Sequence, residues 1–265
     1  MLDNKFLYFL FISVFFKISF IASGEESSKT KVTILNYNNT APWNTNKENT
    51  QGLNVELANF LNQDKKSPYF FVTEFAPRKR VDYLITQLKE MYVVAWVNQK
   101  FFPSDLSKSF LWTESIINDY QLVISNKNNI IDYKNIESLF GKKFSAVFGT
   151  KYISLEPYIN SGKIIRVDSY RFNEALQRVI GNQPSLDFFI AENSFIKYDK
   201  AKNLNIFAPK KVHISLLPFS PIYGRSLMVS KLNMKLFSYL NEKILSINNN
   251  SEWKNILKKY GQATK

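Results

Sequence analysis

The stretch "TILNYNNTAPWNTNKENTQGLNVELANFL", Thr33 to Leu61, changes character twice in 29 residues. It opens on the apolar end of "KVTILNY" (Lys31 to Tyr37), which reads as a strand. It closes on "GLNVELANFLNQ", where Leu53, Leu57, Phe60 and Leu61 fall on one face of a helix. Between them lies a polar loop in which Pro42 presents Trp43 among Asn, Thr, Lys and Glu. An indole in so hydrophilic a loop either meets a ligand or lids the core beneath it.

Working outward, the same plan continues. "YFFVTEF" (Tyr69 to Phe75) is a second strand. Pro77 leads into "RKRVDYLITQL", with Val81, Leu84, Ile85 and Leu88 at helical spacing, and "YVVAWV" (Tyr92 to Val97) is a third strand. Its unbroken apolar run suits a parallel strand covered on both faces. The resulting β-α-β-α-β unit demands parallel strands and right-handed crossovers. A second unit follows: strand "KFSAVF" (Lys143 to Phe148), short helix "KYISLEPYI" bent or ended near Pro157, strand "KIIRV", helix "RFNEALQRVI", strand "LDFFIA". Extended segments "NDYQLVIS" and "PIYGRSLMVS" flank the second unit, and two helices close the chain, the last with Trp253, Ile256, Leu257 and Tyr260 on one face. The expected fold is α/β: two lobes joined by two extended hinge crossings, with the tail packed on the first lobe. The expected limits are 25–120 plus 226–265 for lobe 1 and 121–225 for lobe 2.

Composition sets the bounds. The chain has 265 residues, 45% hydrophobic and 15% aromatic, which supports a large core rather than disorder. "FLYFLFISVFF" (Phe6 to Phe16) after Lys5, with Ala22-Ser23-Gly24 behind it, reads as a signal peptide over 1–24, cleaved near Gly24; Lys17 interrupts it, and an uncleaved anchor is the alternative. The leader implies export, and with no cysteine there is neither a disulfide staple nor a lipid-modified Cys, so a soluble periplasmic protein is expected. The net charge is +13; the leader carries Lys5 and Lys17 against Asp3, so its loss leaves +12. The lysines are scattered, which reads as a solvated basic surface rather than a nucleic-acid footprint. His213 is the only histidine, which excludes Cys/His catalysis and multi-His metal sites; it is expected to face solvent or a sheet edge.

In open parallel sheets ligands bind beyond the carboxyl ends of the strands. Trp43 follows the first strand of the first unit, and Gly149-Thr150 follows the first strand of the second. If the lobes face each other, these loops form opposing lips of one cleft.

Four segments resemble the extracytoplasmic solute-binding proteins of the amino-acid-binding type, family 3, over roughly residues 30 to 262. "APWNTNKENTQGLNVELANFL" is similar to the family's Pro-aromatic pair, polar stretch, glycine and helix. "FLWTESIINDYQLVIS" is similar to the segment running into the first hinge strand. "NIESLFGKKFSAVFGTKY" is the most specific, and "SEWKNILKKYG" resembles the closing helix; "FAPRKRVDYLITQL" is similar to a divergent branch with Pro-x-x-Arg. The resemblance implies a type II periplasmic-binding-protein fold that closes like a clamshell on a small polar solute and passes it to an ABC-type membrane permease. It implies no enzyme activity, cofactor or metal, and a monomer. A periplasmic sensory or interaction module, or a dehydratase-like enzyme on the same fold, are the alternatives.

The candidate contacts each have a structural reading beside the functional one. Trp43 offers an apolar or cation–π face, or lids the core. Tyr37 ends the first strand and can hydrogen-bond a solute or cap the sheet. Trp96 narrows the cleft or is core; Asn98 donates to a ligand or to its own loop. Gly149, Thr150 and Tyr152 lie where backbone N–H groups before a helix would meet an anion, with Thr150 as the N-cap. Arg78, steered by Pro77, could fork a carboxylate. Glu192 matches the acid that pairs with the ligand amine in amino-acid binders, or starts a helix. The family's Thr-x-x-Arg after the third strand is missing from "VNQKFFPSDLSKSF", and "KEMY" replaces its usual glycine and acid. An ordinary α-amino acid is therefore in doubt, and another polar, aromatic or cationic solute is expected.

Overall fold

A computed structural model describes residues 29–87, 91–181 and 184–264. The expected leader at 1–24 and Leu88 lie outside the described residues. In chain order the first part comprises β1 (Thr30–Asn36), α1 (Leu53–Asn62), β2 (Tyr69–Phe75), α2 (Arg78–Leu84), β3 (Tyr92–Val97), α3 (Ser104–Ser107), β4 (Phe110–Trp112) and β5 (Ile117–Asp119). The second comprises β6 (Gln121–Asn126), β7 (Lys143–Val147), α4 (Glu156–Asn160), β8 (Ile165–Ser169), α5 (Phe172–Ile180), β9 (Phe188–Glu192), α6 (Asn193–Lys202) and β10 (Val212–Ile214). The chain then returns through β11 (Tyr223–Ser230) to α7 (Met234–Ile247) and α8 (Ser251–Lys259).

Two sheets result. The first has the order β2-β1-β3-β11-β4, with β5 also paired to β11; the second has the order β10-β6-β9-β7-β8. As the short crossovers require, β1 runs parallel to β2 and β3, and β7 parallel to β8 and β9. The returning strand β11 is antiparallel to β3, β4 and β5. Only Tyr120 separates β5 in one sheet from β6 in the other, so the first crossing is a single extended residue.

Burial explains the elements. In α1 the leucines Leu53, Leu57 and Leu61 are buried, with Asn54 and Ala58; Phe60 sits at the edge of the face, half-buried, 5.4 Å from the Trp253 ring. The tail does pack back: Leu236, Leu240, Ile244, Trp253 and Leu257 share one core with Val32, Ile34, Trp43 and Phe71. The second lobe closes around Leu122, Ile124, Leu176, Val179, Phe189 and Phe195. Each such side chain contributes about 1.5–3 kcal/mol when fully buried.

Two expectations need correction. The helix read over "KYISLEPYI" forms only at Glu156–Asn160, so Pro157 opens it rather than ending it; proline's missing N–H costs nothing in a first turn. Thr150 is therefore not its N-cap, which is Leu155. Glu192 does start a helix, as the N-cap of α6, but the length of α6 was hidden in "NSFIKYDKAK", where buried Asn193, Ser194 and Asp199 blur the apolar period. His213 lies on the edge strand β10, with Nε2 2.6 Å from Asp132 Oδ1. Among the described residues no helix is long and apolar enough to cross a membrane.

Candidate functional site

The register of the two crossings decides which side chains meet. Tyr223 pairs with Asp119 and Arg225 with Ile117 across β11 and β5, while Gln121 pairs with Glu192 across β6 and β9. Asp119, Glu192 and Arg225 are thus delivered to one point at the junction of the sheets.

Arg225 is buried, and its guanidinium is engaged on every nitrogen. Nε donates to Asp119 Oδ2 at 2.8 Å and Nη1 to the Trp96 carbonyl at 2.7 Å. Nη2 lies 2.5 Å from Glu192 Oε1 and 3.4 Å from the Tyr223 hydroxyl. Its flat face lies over the Trp43 ring, 4.6 Å from the centroid, and 5.4 Å from that of Tyr223. Asp119 is equally saturated: it also accepts from the Ser194 and Tyr120 amides and the Ser194 hydroxyl. A buried charge needs such partners, because desolvation otherwise exceeds the Coulombic gain.

Trp96 turns its carbonyl toward Arg225 from an unusual backbone. Its φ is +63°, and the register of β11 against β3 shifts at this point, as at a β-bulge. A non-glycine residue there costs about 1–2 kcal/mol, which the carbonyl–guanidinium bond offsets. The bulge also brings its indole to 4.9 Å from that of Trp43. Both tryptophans are fully buried. The Trp43 N–H faces the Glu192 carboxylate outside ordinary hydrogen-bond geometry, and the Trp96 N–H meets no acceptor among the described residues.

Trp43 is thus no wet indole. Its loop folds under itself: Gly52, with φ +123°, passes so close that a Cβ there would stand 2.2 Å from the Trp43 carbonyl oxygen. That oxygen accepts from the Asn54 amide, and the Pro42 carbonyl from Leu53, which ties the loop to the first turn of α1. Ala41 in the same loop packs against the core of the second lobe.

The electrostatics follow from burial. Glu192 is pushed above the ordinary carboxylate value, chiefly by desolvation; Arg225 pulls it back only in part, since its charge is shared with Asp119. Burial likewise raises the phenols of Tyr37 and Tyr223, and pushes Tyr152 up to about 12. All three remain neutral hydroxyl groups at neutral pH, within the field of Glu192.

Of the nine expected residues, Trp43, Trp96 and Glu192 meet around Arg225, and Tyr37 and Tyr152 interact electrostatically with Glu192. Arg78 pairs with Asp82 at 2.8 Å, donates to the Phe101 carbonyl at 2.9 Å and lies over the Phe102 and Tyr37 rings. Asn98 is spent on structure, accepting from the Lys100 amide and donating to the Gly224 carbonyl. Gly149 and Thr150 are exposed, and no helix starts behind them; the Thr150 carbonyl accepts from Arg166 at 3.0 Å. Arg225, Asp119 and Tyr223 escaped the sequence reading. Their signal was a lone arginine in the apolar strand "YGRSLMVS" and a lone acid at the end of the opposite crossing.

No protein-family model matches the chain, and no curated protein matches it. Solved structures do. One from work on glutathione import in Streptococcus mutans via GshT and a cystine ABC importer superposes with a TM-score of 0.72 at 14% identity, covering 89% of this chain and 96% of that one. A histidine kinase sensor domain similar to periplasmic binding proteins gives 0.69 at 11%, covering 89% and 99%. An ancestral arginine-binding protein bound to arginine gives 0.65 at 19%, covering 88% and 98%.

Proposed function

This chain has the two-lobed fold of the type II periplasmic binding proteins, and on that premise we propose that it binds a small polar solute between its lobes, exported to the periplasm and working with a membrane permease. The observation that carries the reading is the convergence at the crossings: buried Trp43 and Trp96 from the first lobe, buried Arg225 from the returning strand and the partly exposed Glu192 from the second lobe share one cluster. A solute seated against it touches both lobes at once, so binding favours the closed arrangement by its differential contacts. Tyr37, Tyr152 and Tyr223 supply neutral hydroxyl groups around it. The Ser194 hydroxyl that Asp119 holds is buried away from any solute, and we read the chain as a binding protein rather than an enzyme. We propose lobe limits of 25–120 plus 226–265 and 121–225, with the second crossing cutting through β11 (Tyr223–Ser230) at Arg225 itself.

A second reading, a sensory module that feeds no permease, is favoured by Arg225. Its pair with Glu192 ties the second lobe to the returning strand with no solute. A thermal-shift screen over amino acids, polyamines, small carboxylates, peptides and uncharged polar solutes decides. Saturable stabilisation by one class, with contraction in small-angle scattering, supports solute binding. No stabilisation by any class would sink it.

A further inference from the structure

A carboxylate beside an indole face is a subsite for a cation. In this chain the subsite is already filled from within. The Arg225 guanidinium lies on Trp43 at 4.6 Å and on Glu192 at 2.5 Å, and it is fixed from behind by Asp119 and the Trp96 carbonyl. We propose that Arg225 is a tethered cation that occupies this subsite permanently and excludes solutes presenting an ammonium or guanidinium group there.

Three observations carry the proposal. First, no nitrogen of Arg225 lacks an acceptor, so it does not stand ready to fork a solute carboxylate. Second, the arginine side chain is 1% exposed and Glu192 27%, so the cation lies behind the acid instead of reaching out to solvent. Third, an arriving ammonium would share Glu192 with a fixed positive charge, a like-charge penalty that works as a specificity element. What remains for a solute is hydrogen bonding to the Tyr37, Tyr152 and Tyr223 hydroxyls, since both indoles are fully buried. The solute is then one with no cationic group at this point. That last step rests on the solute-binding reading; the occupancy of the subsite does not.

Chemical rescue tests it. Wild type, Arg225→Ala and Arg225→Ala/Glu192→Gln are melted with methylguanidinium chloride and with a panel of α-amino acids. Arg225→Ala is expected to melt lower and to gain about 3–6 °C once methylguanidinium reaches ~10 times its dissociation constant. Wild type is expected to gain nothing, and the double variant clearly less than Arg225→Ala, because Asp119, the Trp96 carbonyl and the Trp43 face remain while the Glu192 charge is gone. No rescue of Arg225→Ala, or equal rescue of the double variant, overturns the proposal. Should Arg225→Ala fail to fold, wild type and Glu192→Gln carry the test alone. Saturable stabilisation of wild type by an α-amino acid, abolished in Glu192→Gln, overturns it; a response from neither supports it. Rescue with no hit for wild type in the full thermal-shift screen, uncharged solutes included, leaves the tethered cation standing and removes the solute-binding reading; a hit in that screen without rescue does the reverse.

Discussion

At the scale of single residues, the molecule turns on how it buries charge and indole together. Asp119 is the rear anchor of Arg225, so Asp119→Ala strands a guanidinium in the core; breaking such a pair costs about 3–5 kcal/mol, read as a lowered urea midpoint at unchanged slope. Glu192 acts in the opposite sense with pH. Its folded value is raised above the ordinary 4.5, so the folded state holds the proton more tightly. Its contribution to stability is therefore full below 4.5 and is lost as pH rises through the raised value. Melting temperature against pH should show this decline in wild type and a flatter curve in Glu192→Gln; identical curves would refute the assignment. Gly52→Ala should cost about 2–4 kcal/mol, because a Cβ at φ +123° meets the Trp43 carbonyl at 2.2 Å. Near-UV circular dichroism should change with it, as the indole pair shifts. Trp43 was legible in the sequence as an anomaly, with both its readings in view. Its cation was not, because an arginine in an apolar strand carries no sign of which way it points.

At the scale of elements, legibility followed periodicity. The strands β2 and β3 were read to the residue, α1 and α5 to within a residue at either end and α8 to within two, since each has an unbroken apolar stripe or run. The misses were elements whose buried positions are polar or whose geometry is set by one residue. In α6 Asp199 is buried to accept the amides of Ile206 and Phe207, so a charge stands where a hydrophobe would have marked the face. In α4 Pro157 belongs to the first turn, and its usual meaning as a breaker misled. Helix α8 offers an element-level prediction. Asn250 caps it, with Oδ1 accepting from the Trp253 amide at 2.9 Å. Asn250→Ala should lower stability by about 1 kcal/mol and Asn250→Ser by only a few tenths, measured by urea unfolding. Equal losses would show that the cap bond is not what holds the helix start.

At the scale of the whole molecule, the two sheets and two crossings were legible because the alternating pattern permits few topologies. A third link between the lobes was not. The turn after α8 reaches across: the Tyr260 hydroxyl donates to Glu56 in α1 at 3.0 Å, while its ring stacks on Tyr198 of α6, centroids 6.1 Å apart. Gln262 Nε2 then donates to the Ser194 carbonyl at 2.8 Å, beside the hydroxyl that Asp119 holds. Gly261 makes the approach possible. It has φ +70°, and a Cβ would stand 2.5 Å from the Lys197 carbonyl oxygen, a backbone atom that cannot swing aside. Gly261→Ala must therefore lift the turn from α6, at a cost of about 1–3 kcal/mol. The strain falls on the contact between lobes, not on either core, since Trp253 and Leu257 stay seated in the first lobe. The variant should keep its far-ultraviolet dichroism and show a larger radius of gyration in small-angle scattering without solute. It should also weaken whichever solute the screen identifies, because closure would start from a wider angle. An unchanged radius with lowered stability would mean that the tail only pads the first lobe, and that Arg225 with its two carboxylates holds the lobes in register unaided.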